Sequence, residues 1–246
     1  MGANDAAKTG ESKRKQVRYV VSDDCRVKAS ISIRSSDAES ANKDWPGTLV
    51  DLSATGAHIQ ISMAAVAYNG DSCVLKLTLG TMKLEVRGTL AHYVCSARYS
   101  VCGVKFNSYA GETDKIYQGF FKAIVASSTL KGGPVDSEIA GQYKEEYRGP
   151  GHTKLIVWRN NKPERMLIGF DYTMGRYCAV LTGAGEDMFK NKTEVRFKAA
   201  PTESGLTGGS LTDSQLAEAR WEFSLAASNL PKTIPPELRR FLRLVS

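Results

Sequence analysis

The sequence predicts a mainly β protein: a barrel or sandwich of five or six short strands, then a helix, then a small α+β domain. Apolar and polar residues alternate at period two in several short runs, as in Val27, Ala29, Ile31 and Ile33 against Lys28, Ser30 and Ser32. Residues that favour turns separate those runs. Apolar residues at helical 3,4 spacing appear only later, after residue 112 and again after residue 212. With 42% apolar and 24% charged residues in 246, the chain can bury one large core or two small ones.

Residues 1–11 are small and polar, lack the apolar segment of a secretory signal, and read as a disordered lead-in. The alternation from Arg26 to Arg34 is a half-buried strand, followed by a polar loop over 35–46. Short β-favouring runs at 48–50 and 57–61 flank a polar turn, and further strands follow at 73–79, 82–94 and 99–106. Closing these strands into a barrel would remove exposed sheet edges. Thr113 fits the N-cap of a helix to about Ala126, whose apolar stripe of Ile116, Tyr117, Phe120, Phe121 and Ile124 should pack on the barrel.

Residues 129–150 contain Lys-Gly-Gly-Pro134 and a charged run, and read as a linker with some helix between 136 and 147. The C-terminal domain is then 151–246. It opens on Leu155 to Trp158, turns at Asn160-Asn161-Lys162-Pro163 and returns through Met166 to Tyr172, a hairpin pattern. Strands are expected near 177–181 and 194–199. Thr212-Asp-Ser-Gln215 matches a capping box, opening a helix with Leu216, Ala219, Phe223, Ala226 and Leu230 on one face. A last short helix from Pro235 turns Leu238, Phe241, Leu242 and Val245 inward, with Arg239, Arg240 and Arg243 as a solvated cap.

The net charge of +7 favours anionic partners, but the excess is spread over both halves with no basic stripe interleaved with aromatics, which argues against nucleic acid. Five scattered cysteines without a C-x-x-C pair point to buried thiols rather than zinc or disulfides, so no metal is expected. No apolar run reaches the length of a membrane span, and a cytoplasmic protein is expected. The three histidines lie far apart in sequence, and no H-E-x-x-H, G-x-S-x-G or Walker A pattern is present. The expectation is a non-enzyme without a cofactor.

Two short segments carry the specific chemistry. Arg14-Lys-Gln-Val-Arg18 sets two guanidiniums four residues apart, and a guanidinium donates bidentately to phosphate oxygens or to guanine O6 and N7. Asp51-Leu-Ser-Ala-Thr-Gly56 is a compact turn whose Asp and Ser offer an acceptor and a donor and whose Gly56 permits a positive φ. With Gly103-Val-Lys-Phe106 closing a strand, these segments resemble the PilZ domain family in order and approximate spacing, over residues 12–128. The resemblance implies a six-stranded β-barrel that binds cyclic di-GMP. It makes Arg14 and Arg18 the basic arm on phosphates and guanines, Asp51 and Ser53 polar ligand contacts, and Gly56 the keeper of the turn. Lys13 and Lys15 would add diffuse attraction. It also implies a bacterial signalling role, in motility or exopolysaccharide regulation.

On this reading the ligand orders the arm onto the barrel, shifts the domains and alters what the C-terminal domain, the expected protein partner site, contacts. The alternatives are a PilZ-fold adaptor that binds protein and no nucleotide, and a non-specific nucleic-acid binder. Asp171-Tyr-Thr173 has part of the turn pattern, with Arg176 where the glycine would stand, so a degenerate second PilZ-like barrel is a further expectation for the C-terminal half.

Overall fold

The computed structural model describes residues 16–34, 43–107, 111–139, 142–182, 194–201 and 210–246, with side chains except at 136–139. Its first part contains strands β1 (Tyr19–Val20), β2 (Lys28–Arg34), β3 (Asp44–Ser53), β4 (Gly56–Ile61), β5 (Ser72–Leu79), β6 (Met82–Cys95) and β7 (Ser100–Phe106), then helix α1 (Glu112–Ser128). The sheet order β1-β3-β2-β5-β6-β7-β4, with an additional β3–β4 pairing, closes β2 to β7 into a six-stranded barrel. Strand β1 lies outside it against β3.

Alternation sends Ile31, Ile33, Leu75, Leu77, Leu84, Val86, Ile59 and Val104 into a single core. Helix α1 adds Tyr117, Phe120 and Ile124 to that core. Its cap differs from the expectation: Gly111 holds the N-cap position without a side-chain bond, and Thr113 lies inside the first turn. Strand β3 begins at Asp44, so Trp45 and Pro46 belong to a strand and not to the expected loop.

Residues 131–148 are not a linker. They form β8 (Lys131–Ile139) and β9 (Gln142–Arg148), the first strands of a second sheet completed by β10 (Lys154–Asn160), β11 (Leu167–Met174), β12 (Tyr177–Leu181) and β13 (Arg196–Ala199). The charged run at 142–148 alternates, with Glu145 and Tyr147 inward and Lys144 and Glu146 outward, which is a strand signal. The six strands pair strictly in chain order, β13-β12-β11-β10-β9-β8. Among the described residues no pairing closes this meander. It therefore does not repeat the barrel, and Asp171 stands within β11 rather than at a turn.

Helices α2 (Asp213–Ser228) and α3 (Pro236–Val245) cover the second sheet. The Thr212–Gln215 capping box is present in both directions. Helix α2 is not one-faced, however. Leu225 joins the barrel core while Phe223, Ala226 and Ala227 join the second core, so the helix is buried between the two. It crosses α1 where Gly119 leaves room for Trp221 and Glu222.

The segment between β1 and β2 is fixed to these helices. The Ser22 amide donates to Asn229 Oδ1 at 2.7 Å, and the Asn229 side-chain amide donates on to Ile124 O and Ser127 Oγ of α1. Asp24 pairs with both Arg239 and Arg243, and Arg26 donates to the carbonyls of Arg243 and Ser246. Arg239 and Arg243 are thus ion-paired, not a solvated cap; Arg240 is exposed. The five cysteines are free, and burial pushes the Cys73 and Cys102 thiols up to about 12. No helix among the described residues is long and apolar enough to cross a membrane.

Candidate functional site

Strands β3 and β4 form a hairpin with Ala54 and Thr55 at its tip and Ser53 paired to Gly56. Ser53 is buried, and its hydroxyl donates to the Gly56 carbonyl at 3.3 Å. Helix α1 pins the turn from inside through Tyr117, whose hydroxyl donates to the Ser53 carbonyl at 2.5 Å. The Phe106 amide of β7 donates to Thr55 O at 2.9 Å. Gly56 serves a purpose other than a positive φ, which it does not have. A Cβ there would stand 2.5 Å from the Val104 carbonyl, so only glycine lets β4 approach β7 this closely.

A β-bulge decides which side Asp51 faces. The register slips between Leu49 and Asp51, leaving Val50 unpaired, so Leu49 and Leu52 point inward while Val50 and Asp51 both point outward. Asp51 then stands opposite His58, which alternation places on the outer side of β4 between the inward Ala57 and Ile59. From the other flank, β1 pairs Val20 with Asp51 and Tyr19 with Leu52, which delivers Arg18 to the same place.

The three side chains meet. Arg18 Nη1 donates to Asp51 Oδ1 at 3.0 Å, and His58 Nδ1 lies 2.8 Å from Asp51 Oδ2. Arg18 Nη1 also lies 2.6 Å from His58 Nε2. Guanidinium has no acceptor and an ionised carboxylate no donor, so the network is satisfied when His58 carries its proton on Nδ1 and accepts from Arg18 on Nε2. Partial burial by itself would raise the Asp51 carboxyl. The hydrogen bond from His58, then the charge and hydrogen bond of Arg18, outweigh it and hold the group below the ordinary carboxylate value. Gln16 joins alongside, its side-chain oxygen accepting from Thr55 Oγ1 at 2.5 Å.

Of the expected site residues, Arg18, Asp51, Ser53 and Gly56 therefore share one edge of the barrel. Lys13, Arg14 and Lys15 lie outside the described residues. Arg18 and Asp51 have their polar atoms on the outer surface, whereas the Ser53 hydroxyl is turned into the hairpin. Sequence reasoning missed His58 and His92. A second bulge, between Leu90 and His92, turns His92 outward on β6, and its ring meets that of His58 edge to face at 4.8 Å. The period-two pattern of β4 marked His58 as outward-facing; nothing in the sequence marked the bulges. No group of His, Cys, Asp and Glu among the described residues could hold a metal ion.

The family model of the PilZ domain matches residues 12–122. No curated protein matches the chain.

Proposed function

Residues 12–122 of this chain are a PilZ domain, and from that membership we propose that the protein is a cyclic di-GMP receptor whose site is the Arg18–Asp51–His58 edge of the barrel. PilZ is a binding domain of a family of cyclic di-GMP receptors. The observation that carries the reading is the posture of Arg18. Its guanidinium is held against Asp51 and His58 through Nη1, with the side chain 29% exposed. Held at one corner, and with no other partner among the described residues, the guanidinium has the rest of its donor fork to offer a phosphate or a guanine edge.

In this proposal Arg14 closes from the arm as the second guanidinium, with Lys13 and Lys15 adding attraction. Asp51 orients Arg18 or accepts from guanine N–H groups, while Ser53 and Gly56 hold the hairpin at the required height. A micromolar affinity corresponds to about 8 kcal/mol, and each bidentate arginine contact contributes about 1–3 kcal/mol of it.

The arm is also joined to the C-terminal half. Arg18 leads through Tyr19, whose ring packs edge to face on Phe121 of α1, into the Ser22 to Arg26 segment clamped on α2 and α3. A ligand that draws the arm onto the barrel pulls on that clamp and alters the C-terminal surface offered to a protein partner.

Titration calorimetry of cyclic di-GMP into the full chain, with GTP as control, tests the reading. Low-micromolar or tighter binding is expected, weakened at least about tenfold by Arg18→Ala and by Arg14→Ala. Absence of heat and of competition with a labelled ligand would demote the hairpin to a structural turn.

One observation favours a second reading, a PilZ-fold adaptor. Met63, Val66, Tyr68, Val94 and Tyr99 are exposed at one end of the barrel, where Tyr93 OH bonds the Ala65 carbonyl and joins the 62–71 connection to the β6–β7 hairpin. A stable complex with a protein partner that survives Arg14→Ala/Arg18→Ala and is lost in Tyr68→Ser/Val94→Ser would support it.

A further inference from the structure

Alternation gives the second sheet two faces. One packs Leu155, Val157, Phe170 and Tyr172 under α2 and α3. The other carries Ile156, Trp158 and Val180, which are half-buried and belong to neither core. Residues directly opposite each other in antiparallel strands point to the same side, so the register arranges this outer face in rows. Lys131, Arg148, Lys154, Thr173, Cys178 and Lys198 form one row across all six strands. In the next row Glu146, Ile156, Asp171, Val180 and Arg196 stand side by side, and in the third Lys144 lies opposite Trp158.

The face is therefore basic around an apolar centre. Six cations, Lys131, Lys144, Arg148, Lys154, Arg196 and Lys198, meet two carboxylates, Glu146 and Asp171. Glu146 is shared by three of the cations, at 3.0 Å from Lys144, 2.5 Å from Arg148 and 3.3 Å from Lys154, which fixes a net positive cluster beside Ile156. Lys131 and Arg196 are exposed and make no ion pair among the described residues. The sequence scatters these cations between residues 131 and 198, and strand pairing collects them into a basic stripe with an aromatic that no single segment displays.

The chemistry of the face selects its partner. Four of the six cations are lysines, which the centres of protein interfaces exclude but phosphate backbones accept as point charges. Trp158 is half-buried among its neighbours and not projecting, which suits a ring stacked on it and does not suit insertion into a bilayer. A base can stack there only when unpaired, which favours a single strand over a duplex.

We propose that the outer face of the second sheet binds single-stranded nucleic acid, with phosphates on the Lys131–Arg148–Lys154 row and on Arg196 and Lys198, and an unpaired base on Trp158. The proposal goes beyond the receptor reading and is independent of it, since it uses no residue of the Arg18–Asp51–His58 edge.

The test is fluorescence anisotropy of the full chain with short, labelled, random-sequence single strands of RNA and DNA, without cyclic di-GMP, at low and physiological salt. The matching duplex, polyglutamate and phosphatidylglycerol vesicles serve as competitors. Single strands of either sugar should bind at least about tenfold more tightly than the duplex, and Trp158→Ala should cost about tenfold while Trp158→Phe keeps most of the affinity. Indole emission should fall on saturation, and that fall should be absent in Trp158→Phe. Lys131→Ala/Arg196→Ala/Lys198→Ala should flatten the slope of log K against log salt by about 2. Lys28→Ala/Lys83→Ala/Arg87→Ala, which removes the same charge from exposed positions on the barrel, should leave the slope unchanged. No binding at low salt overturns the proposal. Equal losses in the two triple variants overturn it too, reducing the effect to net charge, as does wild-type affinity in Trp158→Ala without a fall in emission. Displacement of the strand by polyglutamate or by the vesicles as readily as by unlabelled strand overturns it in favour of an acidic protein or a membrane.

Discussion

Each half of the molecule builds a cluster around an arginine and a carboxylate, and the two clusters do opposite things. In the second sheet, Arg159 uses every nitrogen: Nε donates to Glu145 at 2.7 Å, Nη1 to the Arg165 carbonyl at 3.1 Å and Nη2 to Glu237 at 3.4 Å. Tyr147 donates to the other Glu145 oxygen at 2.9 Å. The Arg159 and Glu145 side chains are 10% and 8% exposed, so the cluster is closed on itself. On the barrel, the contacts of Arg18 with Asp51 and His58 run through Nη1, and its side chain is 29% exposed. A saturated, buried pair fixes an element in place, whereas a guanidinium held at one corner is positioned for something else.

The sharpest way to break the comparison is Arg159→Ala, which would leave Glu145 buried without its counter-charge. We expect a loss of about 3–5 kcal/mol in urea unfolding, with cyclic di-GMP affinity unchanged. A neutral result would mean that the closed cluster resembles the open one after all.

Next in size is Glu222→Gln, at the helix that serves both cores. Burial, and secondarily the neighbouring Glu218, push the Glu222 carboxyl up to about 8. The folded chain therefore keeps a proton that the unfolded chain releases near pH ~4.3. Between those values the folded state binds more protons, so stability falls as pH rises through that window. Glu222→Gln should raise stability by about 3 kcal/mol at pH 7 and by nothing at pH 4, measured by chemical denaturation at both.

Gly56→Ala should cost about 1–3 kcal/mol in thermal unfolding, because a Cβ 2.5 Å from the Val104 carbonyl forces β4 from β7. It should weaken the ligand as well, since Asp51 and His58 lie on that hairpin. The smallest effect belongs to the open cluster itself. The folded Asp51 carboxyl is held below its ordinary value, so its contribution is present above the unfolded pKa and is lost as pH falls through the folded one. Partly buried at the barrel surface, with its side chain 15% exposed, Asp51 keeps one acceptor oxygen in Asp51→Asn, which should cost about 1 kcal/mol at pH 7, and the difference in melting temperature should vanish in acid.

Strands were legible wherever one face is buried and the other wet: β2, β5, β6, β7, β10 and β11 fall where alternation placed them. Strands β8 and β9 were not, because Lys-Gly-Gly-Pro and a run of charges suppress the apolar signal while the backbone still pairs. Thr212 and Gln215 announced the start of α2, but its burial on two sides did not follow from its pattern, since Leu225 and Phe223 serve different cores. In the site, Asp51 was legible as part of a turn. That it faces outward next to His58 depends on the bulge at Val50, a backbone irregularity with no residue signature.

What the chain determines by itself is local: the period-two strands, the capped helix, the two arginines four residues apart and the turn ending in Gly56. These depend on neighbours within a few residues, where sterics and side-chain chemistry act alone. What the tertiary structure decides is which of those groups meet. Arg18, Asp51, His58 and His92 come from four strands or their flanks, and Asp24 finds Arg239 and Arg243 from the far end of the chain. Such meetings are set by strand order, bulge position and core closure, which sum over many contacts distant in sequence and so are written in no single stretch of it.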